Sequence, residues 1–152
     1  MADLSAFPIT NQYPAKDPSV LQLYSTPTPN GVKVAIALEE LGLPYEAHFV
    51  DIMQNQTWTE SGAILVYLAD KACKLIPADP AGRNETLQWV FWQMAALGPM
   101  TGQLGFFHKF AGKEIEDKRP FERYRAETQR LLGVLETRLD GQRWIMGEDY
   151  TI

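Results

Sequence analysis

Cysteine is almost missing from this sequence: Cys73 is the single one. One thiol excludes an internal disulfide framework and any multi-cysteine metal site. Histidine is nearly as scarce, and His48 and His108 lack the spacing of a metal-ligating pair, so no metal is expected. No apolar run approaches the roughly 20 residues needed to cross a bilayer, so no membrane association is expected. Residues 1–10 lack a basic start followed by an apolar block; no secretory signal is expected and the predicted location is cytoplasmic. Positive charge is not in excess either. Lys and Arg number 14 against 19 Asp and Glu, a net charge of −5, which leaves nucleic acid no electrostatic footprint. What remains is ordinary globular composition, 45% hydrophobic and 11% aromatic over 152 residues, rather than the polar signature of disorder. Such a length supports one sound core or two small interdependent ones.

Residues 1–19 carry Pro8, Pro14 and Pro18 without an apolar period and read as an extended arm, laid over the surface or a partner subunit. Residues 20–24 (VLQLY) read as a short strand. Residues 25–31 (STPTPNG) are the densest turn signal in the chain. The pattern predicts a helix over 31–41, with Val32, Ala35, Ile36 and Leu41 on one face and Gly42 and Pro44 to stop it. Residues 45–50 (YEAHFV) alternate as a half-buried strand does, with Tyr45, Ala47 and Phe49 on one side. Strand, helix, strand at this spacing is a βαβ unit with parallel strands. A second helix opens at Glu60-Ser61-Gly62, with Ile64, Leu65, Leu68 and Ala72 as its buried stripe and Lys71 and Lys74 at its end.

Residues 77–82 (PADPAG) read as a linker, and no convincing strand follows. Leu87, Val90, Phe91 and Met94 mark one helix face, and Trp89 and Trp92 another, as in a helix buried in a core and at a subunit interface. Gly98-Pro99 is expected to interrupt or kink it. A long helix from Pro120 to Gly141 carries Phe121, Tyr124, Thr128, Leu131, Leu132, Leu135 and Leu139 at 3–4 spacing. The predicted organisation is an arm (1–19), an α/β domain (20–76), a linker (77–82) and an all-helical domain (83–152) that looks truncated.

Two places can carry chemistry. Thr28-Pro29-Asn30-Gly31 lies at a helix start, where unpaired N–H groups and the helix dipole lower a thiol's pKa. The chain puts no cysteine there, so the thiol would arrive on a ligand, with the Thr28 hydroxyl and the Asn30 amide as donors to it. The ordinary reading is helix capping by Asn30 and a turn made by two prolines. At Glu60-Ser61, Ser61 can offer its hydroxyl and N–H to a carboxylate while Glu60 takes an ammonium, as suits the amino-acid end of a peptide. The ordinary reading is again an N-cap. Cys73 reads as an inert packing residue, and the aromatic run Phe106-Phe107-His108-Lys109-Phe110 reads as core more readily than as a cleft lining. Arg123, Arg125 and Arg130 on the long helix read as solvated, unless one enters a cleft and meets a carboxylate.

Five stretches together resemble the nu-class glutathione transferases, bacterial disulfide-bond reductases. They are 21–40 (LQLYSTPTPNGVKVAIALEE), 60–71 (ESGAILVYLADK), 86–98 (TLQWVFWQMAALG), 122–132 (ERYRAETQRLL) and 144–152 (WIMGEDYTI). The resemblance covers nearly everything after the arm. It implies a thioredoxin-like N-terminal domain followed by an all-α domain, paired as a homodimer, with glutathione as cosubstrate and no metal. By the same resemblance Thr28 and Asn30 face the glutathione sulfur as the catalytic pair, Glu60 and Ser61 hold the γ-glutamyl end, and Gln56 and Arg130 contact glutathione as well. The implied chemistry is glutathione-dependent reduction of a small disulfide with weak conjugation of electrophiles. The alternative is a non-catalytic binding or assembly module that keeps the fold.

The sequence also departs from that family. Members carry a long insert between the counterparts of Thr59 and Glu60, with a strand ending at a cis-proline and a hairpin partner. Here Thr59 abuts Glu60. Two recognisable strands remain where three or more usually make a stable sheet face. Thr151 looks like the cap of a further helix. Residues missing from the sequence as read, a deletion in the gene product and trimming all account for this, and an intact mass of 17.2 kDa would mark a real deletion.

Overall fold

A computed structural model of the chain describes residues 9–51 and 60–152. Gln56 lies outside the described residues. The chain divides into two compact units, 1–74 and 75–152.

Among its described residues the first unit has one helical turn, α1 (Ile9–Gln12), within the stretch read as an extended arm, then β1 (Leu21–Ser25), α2 (Pro29–Leu41), β2 (Tyr45–Phe49) and α3 (Ser61–Ala72). The strands pair in parallel, from Leu21 beside Tyr45 to Ser25 beside Phe49, as the βαβ reading requires. α2 ends where Gly42, at φ +62°, turns its N–H back onto the Glu39 and Leu38 carbonyls. Its buried residues are Val34, Ala37, Leu38 and Leu41. The expected stripe shares only Leu41 with this set, and Val32 and Ile36 are 45% and 49% exposed. α2 is apolar nearly all round, so its period does not choose a side; the choice is made by α3, which packs against it. On α3, Leu68 and Ala69 are fully buried together with Ser61 and Gly62, while Ile64, Leu65 and Ala72 are half-buried. In β2 the alternation holds, but its apolar side is the open one. Phe49 is 68% exposed, whereas Glu46 and His48 on the other side are largely covered.

The second unit holds α4 (Pro80–Trp92), α5 (Gly98–Lys109), a 3₁₀ turn (Ala111–Glu114) and α6 (Arg119–Leu139). α4 starts within the stretch read as a linker, because the Asp79 carboxylate caps it by accepting the Gly82 N–H at 2.8 Å and Pro80 occupies its first turn. The expected break at Gly98-Pro99 is instead a wide π-helical turn, Gln93–Leu97, that joins α4 to α5. Proline lacks an N–H and its ring clashes with the carbonyl four residues back, and a π turn absorbs both defects without ending the helix. Of the α4 face, Val90 is buried with Thr86, while Phe91 is 65% exposed. Trp89 and Trp92 meet edge to face at 5.3 Å. α5 and α6 are joined by ring contacts: Phe107 stacks on Tyr124 at 5.6 Å and His108 on Phe121 at 6.0 Å. After α6, Gly141 turns the chain at φ +69°. The segment beyond it returns to the start of the unit, where the Ile152 N–H donates to the Leu75 carbonyl at 2.9 Å.

Candidate functional site

The loop from β1 to α2 is tied down before it reaches the helix. The Thr26 hydroxyl donates to the Val50 carbonyl at 2.7 Å, and the Thr28 N–H donates to the Thr26 carbonyl at 2.7 Å. Thr28 then takes the capping position, with extended backbone (φ −101°, ψ 164°), and its hydroxyl oxygen accepts the Gly31 N–H at 3.3 Å. The capping role read for Asn30 therefore belongs to Thr28. Asn30 is the second residue of the helix and is exposed. Pro29 has no N–H to offer and the Gly31 N–H is capped, which leaves the Asn30 N–H as the first-turn donor without an intrahelical acceptor. The helix start thus gathers three donors of one kind of use: the Thr28 hydroxyl proton, the Asn30 N–H and the Asn30 side-chain amide.

Gly31 is fixed by space rather than by turn chemistry. A Cβ there would collide with the Thr26 carbonyl oxygen and the Ser25 hydroxyl, so the first turn lies directly on the loop that feeds it. The sequence signal, a glycine in a turn-rich run, shows the residue but not this contact.

At the second helix start the capping position belongs to Glu60 (φ −83°, ψ 118°), whose side chain makes no capping bond. Ser61 is the first helical residue and is 5% exposed. The first-turn N–H groups of α3 are therefore not consumed by the cap side chain, the condition under which a helix start receives a carboxylate. Lys33, half-buried on α2, belongs to the same neighbourhood. Burial pushes its ammonium pKa down, and the negative charge of Glu60 works against that shift. Sequence reasoning missed Lys33 because its charge partner sits on another helix, beyond the reach of any local spacing rule.

The other candidates lie on other elements of the chain. Arg130 lies in the helical unit on an exposed face of α6, where its guanidinium forks onto Glu127 at 2.7 and 3.0 Å. That pairing holds the Glu127 carboxyl below its usual range and raises Arg130. Arg130 also borders a groove of about 580 Å³ with Trp89, Gly133, Thr137 and Arg138. His48 stacks on Tyr24 with ring centroids 4.5 Å apart and lies 2.8 Å from Gln22 Oε1. Phe107 stacks on Tyr124, but the aromatic run is not the core expected of it: α5 has no buried residue among those described, and Phe106 and Phe110 are 42% and 64% exposed. Cys73 does not pack inside: it is exposed and ends α3 in the left-handed conformation at φ 51°. Among the described residues no helix is long and apolar enough to cross a membrane.

No protein-family model matches the chain. It is 36% identical to the disulfide-bond oxidoreductase YfcG of Escherichia coli, over 88% of the chain and 75% of that relative. An uncharacterized GST-like protein of Streptococcus mutans is 39% identical over 87% of the chain and 62% of the relative. The chain spans 57% of the length of a further relative, the E. coli disulfide-bond oxidoreductase YghU. The YfcG match runs over 165 positions while taking in 88% of a 152-residue chain, so some positions of that relative have no counterpart here. Among solved structures, a glutathione transferase of Burkholderia graminis with two glutathione molecules bound per subunit is 56% identical. It superposes with a TM-score of 0.93 over 99% of this chain and 75% of its own. A glutathione transferase of Pseudomonas putida with one glutathione disulfide bound per subunit is 51% identical, with a TM-score of 0.91 over 99% and 77%. With its thioredoxin-like α/β unit followed by a helical one, the chain belongs to the glutathione transferase family, in the nu-class-like branch of YfcG and YghU.

Proposed function

We propose that the chain is a glutathione-dependent disulfide-bond reductase with weak conjugating activity, working as a cytoplasmic homodimer. The observation that carries this reading is the start of α2. Thr28 caps the helix through its oxygen and keeps a hydroxyl proton to donate, Asn30 adds its amide and N–H, and the helix dipole adds positive potential. The described residues contribute no thiol there, since Cys73 ends α3. A glutathione sulfur placed at this helix start is stabilised as the thiolate, the nucleophilic form. Glu60 takes the γ-glutamyl ammonium, and Ser61 with the α3 start takes the neighbouring carboxylate. Gln56 and Arg130 complete the glutathione contacts implied by the resemblance.

The thiolate attacks one sulfur of a small disulfide along the S–S axis. The S–S bond breaks, a mixed disulfide forms, and the leaving thiolate takes a proton from water. A second glutathione thiolate attacks the glutathione sulfur of that mixed disulfide, giving glutathione disulfide and the second substrate thiol. Two electrons pass from two glutathiones to the substrate. An electrophile in place of the disulfide yields the conjugate.

Calorimetric titration with glutathione, followed by an assay of hydroxyethyl disulfide reduction, tests the reading. Binding with turnover is expected, and the double substitution Thr28→Ala, Asn30→Ala should abolish most of the turnover. Unchanged turnover in that double variant would remove the thiolate role. The second reading, a non-catalytic binding module, draws on the sheet, two-stranded among the described residues, with Phe49 lying open on it. Binding without turnover would support it.

A further inference from the structure

Residues 13–20 run across one face of the sheet and are fastened there by side chains from both strands. In the parallel register Gln22 stands beside Glu46 and Tyr24 beside His48, so these four side chains share a face. The Glu46 carboxylate accepts the Lys16 N–H at 3.1 and 2.9 Å and the Asp17 N–H at 2.9 Å. The Tyr24 hydroxyl donates to the Tyr13 carbonyl at 3.1 Å. The Gln22 amide donates to the Asp17 carbonyl at 2.8 Å and the Val20 carbonyl at 3.1 Å. His48 braces the set from beneath, stacked on Tyr24, 2.8 Å from Gln22 Oε1 and 3.7 Å from Glu46 Oε1. Asp17 stiffens the corner by accepting both the N–H and the hydroxyl of Ser19, at 2.9 and 2.5 Å.

The fastening bonds are polar. Pro14, Lys16, Asp17, Pro18 and Ser19 are exposed and Tyr13, Ala15 and Val20 are half-buried, so most of the stretch is held by these bonds rather than by burial of apolar surface. Among the described residues it crosses a sheet of two strands, a number that does not usually stand alone. Two backbone N–H groups of the stretch converge on one carboxylate, and charge-assisted bonds of that kind are the strong ones.

We propose that residues 13–20 form a releasable strap that completes the sheet, with Glu46 as its buckle, able to open while the α2–α3 core stays folded. The inference concerns conformation and stands whether or not glutathione binds. The strap also covers β1, which delivers the loop to Thr28, so opening it loosens the strand that feeds the helix start.

The groups facing Glu46 set its response to acid. The Asp17 N–H, the Lys16 N–H, His48 and the Lys16 ammonium hold its carboxyl below the ordinary glutamate range, against a smaller opposing effect of burial. Asp17 is likewise held low by Ser19, and the Tyr24 hydroxyl is raised by burial and by the Glu46 charge. A carboxyl depressed in the folded state stabilises above its unfolded value, about 4.3, and that contribution is lost as pH falls through the lower folded value. The strap is therefore fastened at neutral pH and opens in acid.

Amide hydrogen exchange on the full chain tests this. In Glu46→Gln the Lys16 and Asp17 amides should exchange at least tenfold faster than in the wild type, with the Ala37 and Leu38 amides of α2 unchanged. In the wild type, the same acceleration beyond the intrinsic pH effect should appear below about pH 4 and be absent from Glu46→Gln. Tyr24→Phe, which removes only the Tyr13 bond, should speed the Lys16 amide severalfold. Unchanged Lys16 and Asp17 protection in Glu46→Gln would overturn the buckle. Loss of their protection together with that of Ala37 and Leu38, in either variant or in acid, would overturn a separately releasable strap.

Discussion

Thr28 and Gly31 are coupled at the start of α2: the Thr28 hydroxyl oxygen accepts the Gly31 N–H at 3.3 Å, a bond that does not use the hydroxyl's own proton. One oxygen therefore serves the fold and, in the proposed function, the ligand sulfur. Thr28→Ala should cost about 1 kcal/mol of stability through the lost cap. It should also lower disulfide-reducing turnover by about tenfold, the loss expected of one net hydrogen bond to a charged sulfur. Thr28→Ser should preserve both. Urea unfolding beside the hydroxyethyl disulfide assay checks the pair, and a serine variant as slow as the alanine variant would contradict the hydroxyl role.

Gly31→Ala should be more damaging than an ordinary surface substitution. The new methyl would meet the Thr26 carbonyl as well as the Ser25 hydroxyl. A destabilisation of about 1–3 kcal/mol is expected from such overpacking. Adding Ser25→Ala should not rescue it, since the carbonyl remains. Thermal melts of the single and double variants read this directly, and full rescue would show that the carbonyl gives way.

Thr128 is a buried weak point of α6. It is 5% exposed, and its hydroxyl oxygen has no hydrogen-bond partner among the described residues. Thr128→Val keeps the shape and the β-branching while removing the unsatisfied oxygen. Stability should rise by about 1 kcal/mol, seen as a higher urea midpoint at unchanged slope. A lower midpoint would mean the hydroxyl is satisfied in solution.

Arg138 binds three parts of the helical unit together. Its guanidinium donates to the Ile145 carbonyl at 2.6 Å, pairs with Glu85 at 2.6 Å and lies 5.4 Å from the Trp89 ring centre. Arg138→Met should destabilise by about 1–2 kcal/mol, less than a buried pair would because the group is partly exposed. Arg138→Lys should recover little, as an ammonium cannot reproduce the planar fork. Tryptophan fluorescence during urea unfolding follows the effect. A lysine variant as stable as the wild type would reduce the contact to simple charge.

The sequence made the helix starts legible because turn and cap residues act over three or four positions. The run STPTPNG put a loop and a helix start where they are found, and ESG did the same for α3. Which residue caps was not legible: Thr28 and Asn30 are both good caps, and only the chain's path into the first turn selects Thr28. The buried side of α2 was hidden for another reason. Val32, Ala35 and Ile36 and the set Val34, Ala37 and Leu38 both fit a helical period, and the packing of α3 decides between them. In β2 the polar pair Glu46 and His48 is covered because an arm from thirty positions earlier in the chain lies over it, a contact no local pattern encodes. Lys33 escaped notice for the same reason.

The π turn at Gln93–Leu97 carries a consequence for α5. One surplus residue advances the helical phase by about 100°, so side chains beyond it take a different bearing from the one the α4 stripe would project. That offset aims Phe107 and His108 at Tyr124 and Phe121 on α6. Removing a single residue between 93 and 97 would turn the aromatic run away from its stacking partners with no aromatic residue altered.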